Sequence, residues 1–382
     1  MEFVARQSDL LQELGLVQGV VERKTTIPIL ANILLDARKT KKGGEVEILA
    51  TDLEVGIRTV CHAEVRKEGS MTLPARRLHD IVRLLPPGGE VDFSLKDGNW
   101  VNVTCERIRY RLAGAGTADF PTLSSYDFKD SLTLELAPLK AMIERIVFAI
   151  SAEDPRYALN GALMMVGEGN VSLVATDGHR LAFITRPDPG ATGSSQRILV
   201  PRKTLAELQK FDPGPEGEVR FGVQGSQMFF RCGPRLLQSN TVDGTFPNYE
   251  RVLPQGNDRI AIVAADSLRQ ALDRVALLSQ ERTKGVRLAL EPGKVVISTQ
   301  NPEMGEAEET VTADYDGPAF QIGFNSRYLV EYLQASGSPA IRMELKDETG
   351  QGLFRPEDPN QAAPWDYRYV VMPMRLTSEA GQ

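Results

Sequence analysis

The chain is poor in the residues that usually carry chemistry. Its 382 residues include only three cysteines and three histidines. Cys61, Cys105 and Cys232 lie far apart and match no metal or redox spacing, so they read as small core or strand residues. No apolar run is long enough to span a bilayer, and Met1-Glu2-Phe3 leads into a strand without a basic, apolar leader, which predicts a cytoplasmic protein. A Gly-rich phosphate loop ending in Lys-Ser/Thr, a cysteine pair near a histidine and a Gly-x-Ser-x-Gly elbow are all missing. His62 falls in an alternating strand and His79 on a helix, where solvent-facing or packing roles suffice. A functional reading takes Asp177 and His179 as an acid–base pair, but no nucleophile or third ligand stands near them in the sequence. Their other reading is a strand-turn-strand in which Asp177-Gly178 supplies the turn.

What the chain does have is repetition. Leu10, Leu14 and Val17 are matched by Leu139, Ile143 and Ile146, then by Leu268, Leu272 and Val275. The offsets are 129 (139−10) and again 129 (268−139). Each set is an i, i+4, i+7 apolar stripe of an amphipathic helix, preceded by a short alternating strand (Glu2–Arg6, Thr133–Leu136, Ala261–Ala264). Each helix is expected to open on a polar or proline start: Ser8-Asp9, Pro138 and Asp266-Ser267.

Two further echoes lie within each repeat. Thr72-Leu73-Pro74-Ala75-Arg76-Arg77-Leu78, Leu199-Val200-Pro201-Arg202-Lys203-Thr204-Leu205 and Gly323-Phe324-Asn325-Ser326-Arg327-Tyr328-Leu329 put basic residues in the first turns of a second helix. Ala50-Thr51-Asp52, Ala175-Thr176-Asp177 and Ser298-Thr299-Gln300 each end an apolar strand. Landmarks recurring at nearly one period predict a triplicated unit of strand, helix, several strands, helix and more strands. With 42% hydrophobic residues the chain can form three cores, so domains are expected at 1–127, 128–256 and 257–376, with a tail at 377–382.

A net charge of −7 argues against a polyanion partner until its distribution is considered. Arg76, Arg77 and Arg83 against Asp80, and Arg202, Lys203 and Lys210 against Glu207, predict basic second helices in the first two repeats. Acidic residues gather elsewhere, as at Glu303, Glu306, Glu308 and Glu309. Basic helices on one side of an acidic shell could hold DNA loosely and repel it everywhere else.

Seven segments then carry a resemblance. They are Thr51-Asp52-Leu53-Glu54, Arg156-Tyr157-Ala158-Leu159-Asn160-Gly161, Ala175-Thr176-Asp177-Gly178-His179-Arg180-Leu181, Val200-Pro201-Arg202-Lys203, Val242-Asp243-Gly244-Thr245-Phe246-Pro247-Asn248-Tyr249, Gly285-Val286-Arg287-Leu288 and Tyr369-Val370-Val371-Met372-Pro373-Met374-Arg375-Leu376. In this order, from Met1 to Leu376, the chain resembles the bacterial sliding clamps, the beta subunits of DNA polymerase III. The resemblance implies an α+β chain: three tandem copies of a DNA-clamp domain, each two helices packed on antiparallel sheets. It also implies a head-to-tail homodimeric ring with helices inside and sheets outside. Geometry agrees, since six helices roughly 10 Å wide leave a hole of about 10 Å and twelve leave about 30 Å, against a duplex roughly 20 Å across.

On this resemblance the expected function is that of a processivity factor, without catalysis, cofactor or metal, holding double-stranded DNA non-specifically. Lys24, Arg76, Arg77, Arg83, Arg156, Tyr157, Arg202 and Lys203 would face the DNA. A groove between the second and third domains would take short peptides from the replicative polymerase alpha subunit, the clamp-loader delta subunit, other DNA polymerases, ligase and mismatch-repair proteins. Its matching positions are Leu159, Thr176, Gly178, His179, Arg180, Leu181, Pro247, Arg251, Val252, Val370, Met372, Pro373, Met374, Arg375 and Leu376. The dimer seam would bring Arg107, Tyr110 and Leu112 to Leu277, Leu278, Glu303 and Glu306, with Arg109 as an alternative partner for the acidic run Glu303–Glu309. The sequence departs from the family in its tail Thr377–Gln382 and in a long, proline-rich segment at Arg355–Pro364, expected to form a surface loop. Two rival readings are an enzyme using Asp177 and His179 and a three-domain scaffold that never touches DNA.

Overall fold

The computed structural model describes residues 1–22, 25–41, 43–151, 157–212, 214, 217–357 and 365–375. Three helices carry the 129-residue frame: α1 (Gln7–Val17), α3 (Leu136–Glu144) and α5 (Ala265–Val275), whose starts differ by 129 (136−7) and 129 (265−136). The second helices are α2 (Ala75–Leu84), α4 (Arg202–Leu208) and α6 (Ser326–Ser336). All nine residues of the apolar frame are buried, Ile146 just beyond the end of α3. Each such side chain contributes about 1.5–3 kcal/mol by leaving water.

The predicted polar starts do not cap these helices. Ser8-Asp9 and Asp266-Ser267 lie inside the first turns, while the cap positions, Arg6 and Ala264, are strand residues with no side-chain cap bond. Strand runs into helix without a loop, so the first helical N–H is met by a carbonyl from another segment. Gln7 donates to Gly89, Leu136 to Gly217 and Ala265 to Pro339, each at 2.9 Å. Pro138 sits in the first turn of α3, where its missing N–H leaves no bond unmade. Only α6 has a side-chain cap among these helices with described caps, Asn325 accepting from the Arg327 N–H at 3.0 Å.

The chain packs into two compact units, Met1–Ala137 with Lys203–Thr241 and Pro138–Arg202 with Val242–Gln382. In the first, a five-stranded sheet runs in the order Glu64–Lys67, Glu2–Arg6, Glu90–Lys96, Trp100–Cys105, Ile108–Ala113. Beside it in the same unit is an eight-stranded sheet in the order Leu132–Glu135, Glu218–Gln224, Gln227–Cys232, Arg235–Asn240, Val55–His62, Glu45–Thr51, Asn32–Arg38, Gly69–Pro74. Its continuity depends on the antiparallel pairing of Arg235–Asn240 with Val55–His62, Leu237 opposite Ile57.

A buried polar cluster backs that pairing. Glu13 of α1 accepts from Thr59 and from Arg235, the latter at 2.7 and 3.2 Å. Phe3 and Phe93 stack at 4.6 Å in the core of the same unit.

The second unit holds a twelve-stranded sheet: Gln196–Pro201, Gly161–Gly167, Asn170–Thr176, Arg180–Pro187, Asp366–Val371, Gly352–Glu357, Ala340–Leu345, Arg259–Ala264, Gly305–Asp314, Lys294–Asn301, Gly285–Glu291, Phe320–Asn325. Arg180–Pro187 pairs antiparallel with Asp366–Val371, setting Leu181 opposite Val370. Its core stacks Tyr332 on Tyr369 at 4.6 Å. The strands of the middle repeat are thus shared between two sheets. Among the described residues no helix is long and apolar enough to cross a membrane, and all three cysteines are buried.

Candidate functional site

The turn Thr176–Arg180 shapes the candidate site. The Thr176 hydroxyl donates to the Arg180 carbonyl at 2.6 Å and accepts from the Gly178 N–H at 3.1 Å. Asp177 Oδ1 accepts from the His179 and Arg180 N–H groups at 2.9 and 3.1 Å, and Oδ2 from Arg180 Nε at 3.0 Å. Gly178 sits at φ +89°, where a side chain would be strained. Asp177 therefore serves the turn, with both oxygens occupied, and is not placed as a base for His179. Among the described residues no cluster of His, Cys, Asp and Glu could hold a metal ion.

One side of this turn walls an apolar cavity of about 140 Å³, lined by Leu159, Thr176, Gly178, His179, Arg180, Leu181, Pro247, Tyr249, Val252, Val370 and Met372. Its floor continues into the hydrophobic cluster of Leu159, Leu163, Leu181, Phe246, Tyr249 and Val370. Ten of the groove residues expected from the sequence come together here. Arg251, Pro373, Met374 and Arg375 are not in its lining, and Leu376 lies outside the described residues.

The strand Asp366–Val371 ends before Pro373, as a proline requires, and the chain beyond is pinned by Met372 N–H on the His179 carbonyl and Met374 N–H on the Gly323 carbonyl, at 2.9 and 2.8 Å. Tyr249 was not among the expected residues, although it closes the quoted segment Val242–Tyr249. It stacks on Phe183 at 5.7 Å, and burial raises its phenol pKa above the ordinary value.

Arg180 also lines a second, more polar cavity of about 530 Å³, together with Phe148, Asp177, Arg202, Arg327, Tyr328 and Glu331. Its guanidinium donates to Glu331 at 2.5 Å and to the Phe148 carbonyl at 2.6 Å, and lies 4.4 Å from the Tyr328 ring centre. Burial opposes the charge, but Tyr369 and Glu331 outweigh it and hold the Arg180 pKa above its ordinary value.

The basic residues divide. Arg76, Arg77 and Arg83 of α2 are exposed, as is Arg202; Arg76 reaches the Val21 carbonyl at 3.1 Å. Lys203 is engaged within the chain, its ammonium pairing with Asp52 and donating to the Val20 carbonyl at 2.8 Å. Lys210, just beyond α4, is likewise bound to Glu207 at 2.7 Å, so Arg202 is the basic residue of this segment without such an ion pair among the described residues. Lys24 and Arg156 lie outside the described residues, as does the side chain of Tyr157.

For the expected seam, Ile108–Ala113 is an edge strand with Tyr110 and Leu112 half-buried, and Arg107 and Arg109 are exposed. Leu277 is 75% exposed beside half-buried Leu278. Glu303 and Glu306 are exposed, whereas Glu309 is held by Arg274 at 2.6 Å, which lowers its pKa. Segment 358–364 and the tail 377–382 lie outside the described residues.

Against known families, models described as the N-terminal, central and C-terminal domains of the DNA polymerase III beta subunit match residues 1–124, 133–248 and 250–375. Beta sliding clamps of Pseudomonas putida and Escherichia coli K12 are 37% and 36% identical, each over 98% of this chain and 100% of the relative. A crystal structure of the DNA polymerase III subunit beta from Pseudomonas aeruginosa superposes with a TM-score of 0.90 at 36% identity, covering 98% of this chain and 100% of that one. A sliding clamp of the same organism bound to griselimycin gives 0.91, with the same identity and coverage.

Proposed function

The chain belongs to the DNA polymerase III beta subunit family, the beta sliding clamps, and from that membership we propose that it acts as the non-catalytic processivity factor of a bacterial replicative polymerase. Two copies close head to tail around duplex DNA, helices inward. The observation that carries this reading is the 129-residue frame repeated across a chain that matches the family's domain models nearly end to end. A heterologous contact that closes with two copies uses the Ile108–Ala113 edge and the Leu277-Leu278 patch of each chain. Domain limits at 1–127, 128–256 and 257–376 follow the repeat.

Closure, with weak phosphate contacts, explains how such a protein works without reading sequence. Lys and Arg contacts to phosphate exchange with counterions, so the ring slides while staying linked to the template. Arg76, Arg77, Arg83 and Arg202 supply the exposed charge; Lys24, Arg156, Tyr157 and Lys203 are assigned from the resemblance and the charge. The apolar cavity beside Gly178 receives short peptides from the polymerase alpha subunit, clamp-loader delta subunit, other polymerases, ligase and mismatch-repair proteins, in the cytoplasm. Met372 gives an adaptable apolar surface for varied peptides.

Loading onto nicked circular DNA tests the function. Protein retained on the circle must be lost when the DNA is cut to a linear form. Equal retention on both would sink the encircling mechanism and favour an ordinary DNA-binding or scaffold protein. Leu277→Ala with Leu278→Ala should yield monomers in sedimentation, and persistent dimers would move the seam elsewhere.

A further inference from the structure

Arg180 belongs to the walls of both cavities, whereas Glu331 belongs only to the polar one. The Arg180 side chain is 6% exposed, carries a permanent charge, and has two carboxylates against it: Asp177 at 3.0 Å and Glu331 at 2.5 Å. Glu331 is shared. Its other oxygen accepts from Arg327, one turn earlier on α6, at 2.7 Å, and that arginine is 72% exposed. Two cations and two carboxylates are therefore paired in the polar cavity, which meets the apolar one at Arg180, and its lining adds one further charge of each sign, Arg202 and Glu144. We propose that Glu331, though outside the groove, is a positioning residue that cancels the Arg180 charge and so decides which peptide charges the groove tolerates.

The argument rests on the groove assignment above and extends it. A peptide carboxylate entering beside Arg180 would be a third anion around one buried cation, and gains little. A peptide ammonium meets a wall whose positive charge is already balanced. Removing the Glu331 carboxylate shifts the local balance by +1 and leaves Arg180 seeking an anion from the groove side. Removing the Arg327 charge shifts it by −1. A purely structural role for Glu331 would change affinity for all peptides alike, while a charge-setting role changes their ranking.

The test uses the full-length protein and two synthetic hexapeptides of leucine and phenylalanine that differ only in one central residue, Asp or Lys. Dissociation constants are measured by fluorescence anisotropy at low and high salt. In Glu331→Gln the preference for the Asp peptide over the Lys peptide should rise about three- to tenfold relative to the parent, fading as salt screens it. Arg327→Gln should move it the other way, and Glu331→Asp should restore the parent ranking. Thermal midpoint and sedimentation report whether each variant keeps its fold and dimer.

If Glu331→Gln does not fold, Arg327→Gln, altered at an exposed position, decides alone. An unmoved ranking in a folded variant that still binds overturns the inference. A parent protein that binds neither peptide removes the groove assignment and the inference with it.

Discussion

The same turn is built twice, and only one copy borders the apolar cavity. In the first unit Thr51 donates to the Val55 carbonyl and accepts from Leu53 N–H, while Asp52 accepts from the N–H groups of Glu54 and Val55. In the second unit Thr176 and Asp177 make the corresponding bonds within Thr176–Arg180. The third position is left-handed in both, Leu53 at φ +80° and Gly178 at φ +89°. Leu53 is 53% exposed and raises a side chain where glycine leaves backbone bare.

The residues behind the turns differ as well. In the first unit Leu49, Phe120 and Leu123 pack with Ile29 and Leu34, and Lys203 closes on Asp52. In the second, the corresponding aspartate holds Arg180, and the apolar cavity lies open beside it. One backbone turn thus closes on a lysine in one unit and borders an apolar cavity in the other, through a few side chains at fixed positions.

The sharpest break in that comparison is Glu13→Ala. It leaves Arg235 buried without its carboxylate, so unfolding in denaturant should show a loss of about 3–5 kcal/mol. A loss below 1 kcal/mol would mean that the first unit is not locked by this pair. Gly178→Leu, which copies the first turn into the second, should weaken peptide binding at least tenfold, at a folding cost of about 1–2 kcal/mol for the left-handed leucine. Retained affinity there would show that peptides do not approach this backbone.

Smaller effects separate α2 from Lys203. Arg76→Gln with Arg77→Gln should shorten retention on circular DNA and reduce its salt dependence by nearly two charges. Lys203→Gln, whose ammonium is already paired with Asp52, should change that dependence less, and an equal effect would show that the pair does not withhold this charge from DNA. The smallest expected change is in Leu53→Gly, which relieves the left-handed leucine and should raise stability by up to about 1 kcal/mol in thermal unfolding.

Local pattern explains what could be read in advance. The three apolar frames were visible because amphipathic periodicity is written within a dozen residues, and their burial follows from it. Helix starts were misread because a strand joined directly to a helix borrows a distant carbonyl, such as that of Gly89 for Gln7, in place of a local side-chain cap.

Pairings at long range were illegible for the same reason. Lys203 with Asp52 and Arg180 with Glu331 are each separated by 151 residues. The sharing of middle-repeat strands between two sheets likewise depends on partners far along the chain. The groove was expected from family motifs, and ten of the expected positions line the apolar cavity, while Tyr249, also in its lining, was passed over.

The strand Val55–His62 also sets a timetable for synthesis. Its neighbour on one side, Arg235–Asn240, is made some 170 residues after it. On the ribosome, at about 5–20 residues per second, that edge waits roughly 10–35 seconds without its native partner. A nascent chain stalled in this interval would carry a raw sheet margin containing Val55 and Ile57, the form most exposed to mispairing with a neighbouring polypeptide.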